Sequence, residues 1–363
     1  MKIISIVGAR PQFIKLAPLC LELSKRKEIE HIIVNTGQHY DYNMSKLFFD
    51  ELGLPEPKYH LEIGVGNQGY QTGEIIKKSE EIYLQEKPDL VVVFGDTTST
   101  LGGALAASKL HIPIAHVEAG LRSYDKTMPE EINRIIVDQI STLLFCPTKV
   151  TVKNLKKEGV TNGVFVVGDI MIDSLVQGIK IAETKQSILS KLNLMSQNYY
   201  LTTIHRQSNT DIKENLQNLV DTLCSIDGIV VLPLHPRTEK MLKQFNLYTK
   251  LKEKVMLIEP VGYFDMLVLE KNAKMILTDS GGIQKEAYFF KVPCVTLRDT
   301  TEWVETIEDG WNVIAGTDKT KILNAINNFE PNLSKHKNIY GSGKASKKIV
   351  EILNNILINK ISV

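Results

Sequence analysis

Met275-Ile276-Leu277-Thr278-Asp279-Ser280-Gly281-Gly282-Ile283-Gln284-Lys285-Glu286-Ala287 runs from an apolar strand pattern through two glycines into a helical pattern. Glycine lets backbone approach a ligand closely, and a first helical turn leaves amide protons free for an anion. Glu286 falls one or two turns into the helix, within reach of sugar hydroxyls. Taken alone, the stretch is equally a Gly-rich turn in an αβ connection. The rest of the chain decides between these readings.

Outward from this stretch, strand and helix patterns alternate throughout. Lys2–Val7, His31–Asn35, Asp89–Phe94, Ile112–Glu118, Leu143–Cys146 and Val164–Val167 read as strands of a first half. Tyr200–Ile204, Ile229–Leu232, Val255–Ile258, Met275–Leu277, Val292–Leu297 and Gly310–Ile314 read as strands of a second. Asp89–Phe94, almost continuously apolar, is the signature of a parallel strand buried on both faces. Helices are expected over 43–52, 69–85, 101–110, 129–140 and 263–271, and residues 53–68 read as a loop. The pattern predicts an α/β protein of two Rossmann-like domains facing each other across a cleft. The first spans 1–167, the second 168–344, and a closing helix with its tail spans 345–363.

Composition narrows the function classes. The chain has 363 residues, 43% apolar and 23% charged, which suits a globular protein with two cores. Lys+Arg is 43 against 42 for Asp+Glu, a formal net charge of +1, which argues against a broad nucleic-acid surface. Cys20, Cys146, Cys224 and Cys294 form no CxxC pair, so reduced thiols in a cytoplasmic protein are expected. No apolar run reaches bilayer length and no signal-peptide pattern opens the chain, so no membrane partner is expected. No metal-ligand spacing, GxGxxG or GxxxxGK[ST] occurs, so neither a metal nor a tightly held cofactor is expected.

Charged and polar residues gather where strands end. Arg10, Asp96, Glu118, His205, His235 and Ser280 each follow or finish an apolar run, where open parallel sheets bind ligands. Arg10 and Lys15 suit phosphate oxygens, although solvated helix-start charges would look the same. Asp96 is equally a helix N-cap before Thr97. Glu118 ends an apolar strand and needs partners. Glu130 opens a helix, and Arg134, one turn on, is placed to orient it. With Gly281 and Arg298, these residues suit a nucleotide-diphosphate sugar, its diphosphate on the basic side and its sugar against the acids. A sugar carbon bearing an acetamido group has no strongly acidic hydrogen. Departure of the diphosphate puts positive charge beside that carbon, and paired carboxylates can then take and return its proton.

Six segments carry a resemblance: Gly8-Ala9-Arg10-Pro11-Gln12-Phe13-Ile14-Lys15, Gly95-Asp96-Thr97-Thr98, His116-Val117-Glu118-Ala119-Gly120-Leu121-Arg122, Pro129-Glu130-Glu131-Ile132-Asn133-Arg134, Asp279-Ser280-Gly281-Gly282-Ile283-Gln284 and Arg298-Asp299-Thr300-Thr301-Glu302. Over nearly its whole length the chain resembles the non-hydrolysing UDP-N-acetylglucosamine 2-epimerase family. The resemblance implies a glycosyltransferase-B-like fold, a homodimer, and C2 epimerisation of a UDP-sugar by elimination and re-addition of UDP. By motif it makes Asp96, Glu118, Glu130 and His205 catalytic. Arg10, Lys15, Arg134, His235, Ser280, Gly281, Glu286 and Arg298 would bind the UDP-sugar, His205 also helping to hold the diphosphate.

Several departures resemble the subgroup acting on UDP-2,3-diacetamido-2,3-dideoxy-glucuronate: Gln12, Tyr40-Asp41-Tyr42-Asn43-Met44-Ser45, Leu234-His235-Pro236-Arg237-Thr238 and Thr301-Glu302-Trp303-Val304-Glu305. Arg237 and Gln12 are then candidate donors to the extra substituents. Ser208 stands where the family has Glu. The competing readings are a hydrolysing epimerase, a sugar transferase of the same architecture, and a non-catalytic nucleotide-sugar-binding protein.

Overall fold

The computed structural model describes residues 1–37, 49, 52–64, 66–182 and 187–361. The helix expected over 43–52 lies outside the described residues except at Phe49 and Leu52, as does the motif from Tyr40 to Ser45. The chain divides into two compact units, residues 1–174 with 339–363, and residues 175–338.

Among the described residues the first unit holds seven strands: β1 (Lys2–Val7), β2 (Glu30–Asn35), β3 (Tyr59–His60), β4 (Leu90–Phe94), β5 (Ile114–Val117), β6 (Leu143–Cys146) and β7 (Val164–Val166). All pair in parallel, in the order β3-β2-β1-β4-β5-β6-β7. The second holds β8 (Tyr199–Thr203), β9 (Ile229–Pro233), β10 (Met256–Ile258), β11 (Met275–Thr278), β12 (Cys294–Thr296) and β13 (Asn312–Ile314). These are also parallel, in the order β10-β9-β8-β11-β12-β13.

Successive side chains of a strand point to opposite faces, and the cores follow that rule. Ile3, Val7, Val92, Phe94 and Val117 join one buried cluster, whereas Ile4, Ile6, Val91, Val93 and Ile114 join another. In the second sheet, Tyr200, Leu232 and Leu277 enter one cluster, and Tyr199, Leu201, Val231 and Ile276 the other. Each sheet is therefore covered on both faces, which is why its strands read as unbroken apolar runs. Each has one switch point, between β1 and β4 in the first and between β8 and β11 in the second.

Twelve of the thirteen strands coincide with expected runs. The exception is β3, inside the expected loop 53–68. Its two residues pair with β2, and Tyr59 and Lys58 both reach Glu86, at the end of the helix Gln68–Glu86. Helices not anticipated from the sequence include Lys149–Lys157, Ile170–Ala182 and Val304–Glu308, with the short Ile188–Lys191 and Gln207–Thr210. The final helix, Ala345–Ile361, packs Ala345, Ile349, Val350 and Leu353 into the first unit's core. Asp173 accepts from the amides of Ala345 and Ser346 at 3.0 and 2.8 Å and so caps that helix from a distant part of the chain.

The helix Arg10–Leu23 runs straight through Pro18. Proline has no amide proton, so the carbonyl of Ile14 loses its usual helical donor. The hydroxyl of Ser174 replaces it, donating to Ile14 O at 2.6 Å in a buried setting. Replacement of Ser174 by Ala leaves that carbonyl without the bond. Urea unfolding should then show a loss of about 1–3 kcal/mol, and an unchanged midpoint and slope would contradict this account.

Candidate active site

Gln12 bridges the first switch point. Its carbonyl accepts from the amides of Gly8 and Ala9 at 2.8 and 3.2 Å. Its amide nitrogen donates to Phe94 O and Thr100 Oγ1, both at 3.0 Å. The side chain is buried, so the expectation that it contacts a sugar substituent gives way to a structural role. A primary amide both accepts on one side and donates on the other, as a carboxylate cannot. Gly8 permits the close approach, because a Cβ there would stand 1.9 Å from Thr36 Oγ1. Arg10 occupies the first helical position, partly exposed.

Next to this bridge lie the acids. Thr97, not Asp96, caps the helix Thr98–Lys109, so capping does not occupy the Asp96 side chain. Instead Arg134 Nη2 donates to Asp96 Oδ2 at 2.5 Å, and Asn133 Nδ2 to the Asp96 carbonyl at 2.8 Å. Glu118 follows β5 with φ +74°, a left-handed conformation rare outside glycine. It costs about 1–3 kcal/mol unless surrounding bonds hold it. Here the amides of Glu118 and Ala119 both donate to Phe145 O, at 3.1 and 3.2 Å. The Lys15 ammonium closes directly on the Glu118 carboxylate, and both side chains are almost wholly buried. A Cβ on Gly95 would lie 3.0 Å from Lys15 Nζ and 3.1 Å from Glu118 Oε2, so glycine leaves room for the pair. Lys15, expected at phosphate, is thus a partner of Glu118.

Arg134 departs from expectation in a related way. It joins Asp96 to Glu131 rather than orienting Glu130: Nη1 lies 3.1 Å from Glu131 Oε2. Glu131 is buried and takes the amides of Ser123 and Tyr124, each at 2.9 Å. Burial pushes its carboxyl upward, but those amides and Arg134 outweigh it and hold the group below its usual range. Glu130 is exposed. Neighbouring positions on a helix point about 100° apart, so one of two adjacent acids goes in and the other out. β4 and β5 are adjacent, which sets Asp96 and Glu118 side by side, and Asn133 and Arg134 draw the helix bearing Glu130 against Asp96.

In the second unit a carboxylate has the bridging role. Asp279 is fully buried at the end of β11 and accepts from the amides of His205 and Arg206, each at 3.0 Å, across the switch point. Asn209 Nδ2 donates to it at 3.1 Å, and His205 Nδ1 lies 3.1 Å from its other oxygen. Burial opposes its charge, but the His205 ring and the two amides outweigh that and hold it below the ordinary carboxyl value. The His205 ring, 37% exposed, sits 5.9 Å from that of His235. Burial, then His205 and Arg237, push His235 below its usual value. Its Nδ1 accepts from the Arg237 amide at 3.2 Å, making His235 the N-cap of the helix Pro236–Gln244. The Arg237 guanidinium pairs with Asp211 at 2.5 Å. Ser280 is the N-cap residue of the helix Gly281–Phe290, but its hydroxyl makes no capping bond. A Cβ on Gly281 would stand 2.4 Å from Glu302 Oε1, and Arg298 holds the other oxygen of Glu302 at 3.1 Å. Glu286 is buried within the helix, and Lys285 lies 4.0 Å over the Trp303 ring.

The sequence pattern does not single out Gln12 as a bridge, Asp279 or Lys285–Trp303, and it does not mark Glu131 above its neighbour Glu130. Only Asp279 carried a signal, a carboxylate ending an apolar strand. A buried string of Ser5, His31 and Cys20 resembles a nucleophilic relay, with His31 between the other two at 2.9 and 3.8 Å. Burial alone pushes the Cys20 thiol up to about 12 and His31 down to about 4, which disfavours the thiolate that such a relay needs. Among the described residues no group of His, Cys, Asp and Glu is arranged to hold a metal ion.

A family model described as UDP-N-acetylglucosamine 2-epimerase matches residues 21–354. A UDP-N-acetylglucosamine 2-epimerase homolog of Methanococcus maripaludis is 56% identical over 98% of this chain and 100% of its own. The UDP-2,3-diacetamido-2,3-dideoxy-D-glucuronate 2-epimerase of Pseudomonas aeruginosa is 46% identical over 97% of this chain and 99% of its own. The crystal structure of Methanocaldococcus jannaschii UDP-GlcNAc 2-epimerase in complex with UDP-GlcNAc and UDP superposes with TM-score 0.89 at 49% identity, covering 98% of this chain and 100% of that one. Family model, relatives and parallel α/β architecture agree along nearly the full length: the chain belongs to the UDP-N-acetylglucosamine 2-epimerase family.

Proposed function

We propose that the protein interconverts UDP-GlcNAc and UDP-ManNAc by eliminating UDP and adding it back. The observation that carries the reading is the pair of strand-end carboxylates, Asp96 and Glu118, each matched to its own cation, Arg134 and Lys15. Breaking the C1–O bond sends its electron pair to UDP and leaves positive charge at C1. A carboxylate then takes the C2 proton, giving 2-acetamidoglucal. UDP returns to C1 as a second acid delivers a proton to the other face of C2. Among Asp96, Glu118 and Glu130, at least two groups are needed for these two faces. Residues 168–344 hold UDP, with His205, Ser280, Gly281 and the helix amides on the diphosphate, Arg10 joining them, and Glu286 on the ribose. Residues 1–167 act on the sugar.

The simpler 2-acetamido sugar is favoured over the diacetamido glucuronate because both candidate donors are engaged. Gln12 is committed to backbone, and Arg237 to Asp211. The enzyme is placed in the cytoplasm as a homodimer. Buried free thiols at Cys20, Cys146 and Cys294 suit a reducing compartment, and no helix among the described residues is long and apolar enough to cross a membrane. Incubation with a panel of UDP-sugars in D₂O tests the reading by NMR. Deuterium at C2 of UDP-GlcNAc with UDP still attached supports it. Accumulating free sugar and UDP indicates hydrolysis, and no turnover indicates a binding protein. Efficient turnover of the diacetamido sugar alone reverses the substrate choice.

Glu118→Gln and Glu130→Gln should each lower kcat by roughly 10²–10⁴ with UDP affinity retained. Only the first should also lower the melting temperature, because it strips the buried Lys15 of its charge partner. Exchange of the C2 hydrogen at the parent rate in both variants would remove the acid/base assignment. Arg10→Ala should weaken UDP binding roughly 10- to 100-fold, and Ser280→Ala by a smaller factor. Calorimetric titration with UDP reads both, and unchanged affinity in the pair would count against the phosphate assignment.

A further inference from the structure

Behind the two strand ends lies a charged cluster with no exposure to solvent. His116, in β5 two residues before Glu118, is fully buried. Its Nδ1 lies 2.7 Å from Asp138 Oδ1, and its Nε2 lies 2.7 Å from the carbonyl oxygen of Gly95. Carbonyls and ionised carboxylates only accept hydrogen bonds, so the ring donates from both nitrogens. Asp138, on the helix Pro129–Ile140, is equally buried. Its second oxygen accepts from the Gly120 amide at 3.1 Å and from Arg122 Nη1 at 2.8 Å. Burial works against the Asp138 charge, but His116 and Arg122 outweigh it and hold the carboxyl below its ordinary value. Arg122 continues outward to Glu158 through two bonds of 2.8 and 2.6 Å.

A buried ionic cluster is a poor way to gain stability, since well-packed apolar side chains often do as well or better. What this one supplies is position. One arm ends on the carbonyl of Gly95, the residue before Asp96. The other ends on the amide of Gly120, two residues after Glu118. Both glycines and Glu118 have positive φ, at +63°, +81° and +74°, so the two turns carrying the carboxylates depend on bonds that fix unusual backbone.

The geometry points to His116 and Asp138 as a positioning pair that ties the turn of Asp96 to the turn of Glu118 and sets the spacing of the two carboxylates. The inference rests on the reading of these carboxylates as the acid/base groups. Neither His116 nor Asp138 touches substrate. Their effect is on alignment, where displacement of about 1 Å costs on the order of 10²-fold in rate.

The test uses His116→Gln, Asp138→Asn and the double variant. In His116→Gln one donor–acceptor match is lost, because ionised Asp138 only accepts; in Asp138→Asn a neutral His116 accepts from the new amide nitrogen and still donates to Gly95, so every match is kept. In the double variant all matches return without charge. The new amide nitrogen at position 138 donates to the new carbonyl at 116, whose own amide nitrogen donates to Gly95. The position-138 carbonyl still accepts from Gly120 and Arg122. Deuterium incorporation at C2 reads turnover, and calorimetry reads UDP affinity and binding stoichiometry. His116→Gln should lose about 10- to 100-fold in kcat with stoichiometry and UDP affinity within twofold of the parent, and Asp138→Asn should stay within about threefold. The double variant should recover to within about threefold of the parent. Parent-like kcat in His116→Gln overturns the inference. So does a loss of kcat matched by an equal loss of UDP stoichiometry, or a double variant no better than the worse single one. If the single variants do not fold, the double variant decides on its own kcat, and its failure to fold also counts against the pair. A parent protein that binds UDP but incorporates no deuterium overturns the epimerase reading itself, which separates the two failures.

Discussion

At the switch point of each sheet, two parallel strands send their connections in opposite directions, and one buried side chain must hold the parting ends together. In the first unit this is the Gln12 amide, gripping Gly8 and Ala9 on one side and Phe94 on the other. In the second it is the Asp279 carboxylate, gripping the amides of His205 and Arg206 from the end of β11. Different chemistry suits the two places. Gln12 faces donors on one side and an acceptor on the other, which an amide satisfies and a carboxylate does not, whereas Asp279 faces donors alone. The distinction has an electrostatic result. Asp279 leaves a fixed negative charge beneath His205, while Gln12 adds none beside Arg10.

The carboxylates of the first unit are arranged by opposite charge. A buried carboxylate alone is costly, and Glu118 is secured by Lys15, Asp96 by Arg134. Paired in this way, each acid has a cation in direct contact before any substrate arrives. Glu130, at the exposed mouth of its helix, has a different environment. That contrast in surroundings is the kind that separates acid from base among chemically similar groups.

Much of this was legible in the sequence, for identifiable reasons. Strands buried on both faces announce themselves as apolar runs, and the polar residue ending each run marks the ligand edge of the sheet. β3 was invisible because its two residues carry no pattern, and Tyr59 and the preceding Lys58 are held by Glu86 from a distant helix. The helix Lys149–Lys157 was hidden by Val150, Thr151 and Val152, residues that favour strands, and owes its start to Thr148. At the site, positions were readable but partnerships were not. Lys15 and Glu118 are 103 residues apart, and no spacing rule connects them. Glu130 and Glu131 are adjacent, so the sequence offered both and could not say which faces inward.

The capping of the last helix by Asp173 has a consequence for how the chain is made. Residues 175–338 form one uninterrupted unit, whereas the first unit needs residues 339–363 to finish its core. On a ribosome adding about 5–20 residues per second, roughly 10–35 seconds separate the emergence of Ser174 from that of the final helix. During that interval the helix Arg10–Leu23 and the carboxyl group of Asp173 face an unfilled place. The second unit is complete in sequence before the final helix is synthesised. The order of completion is therefore reversed relative to the order of synthesis, and the amino-terminal half is the part of the nascent protein left waiting with apolar surface uncovered.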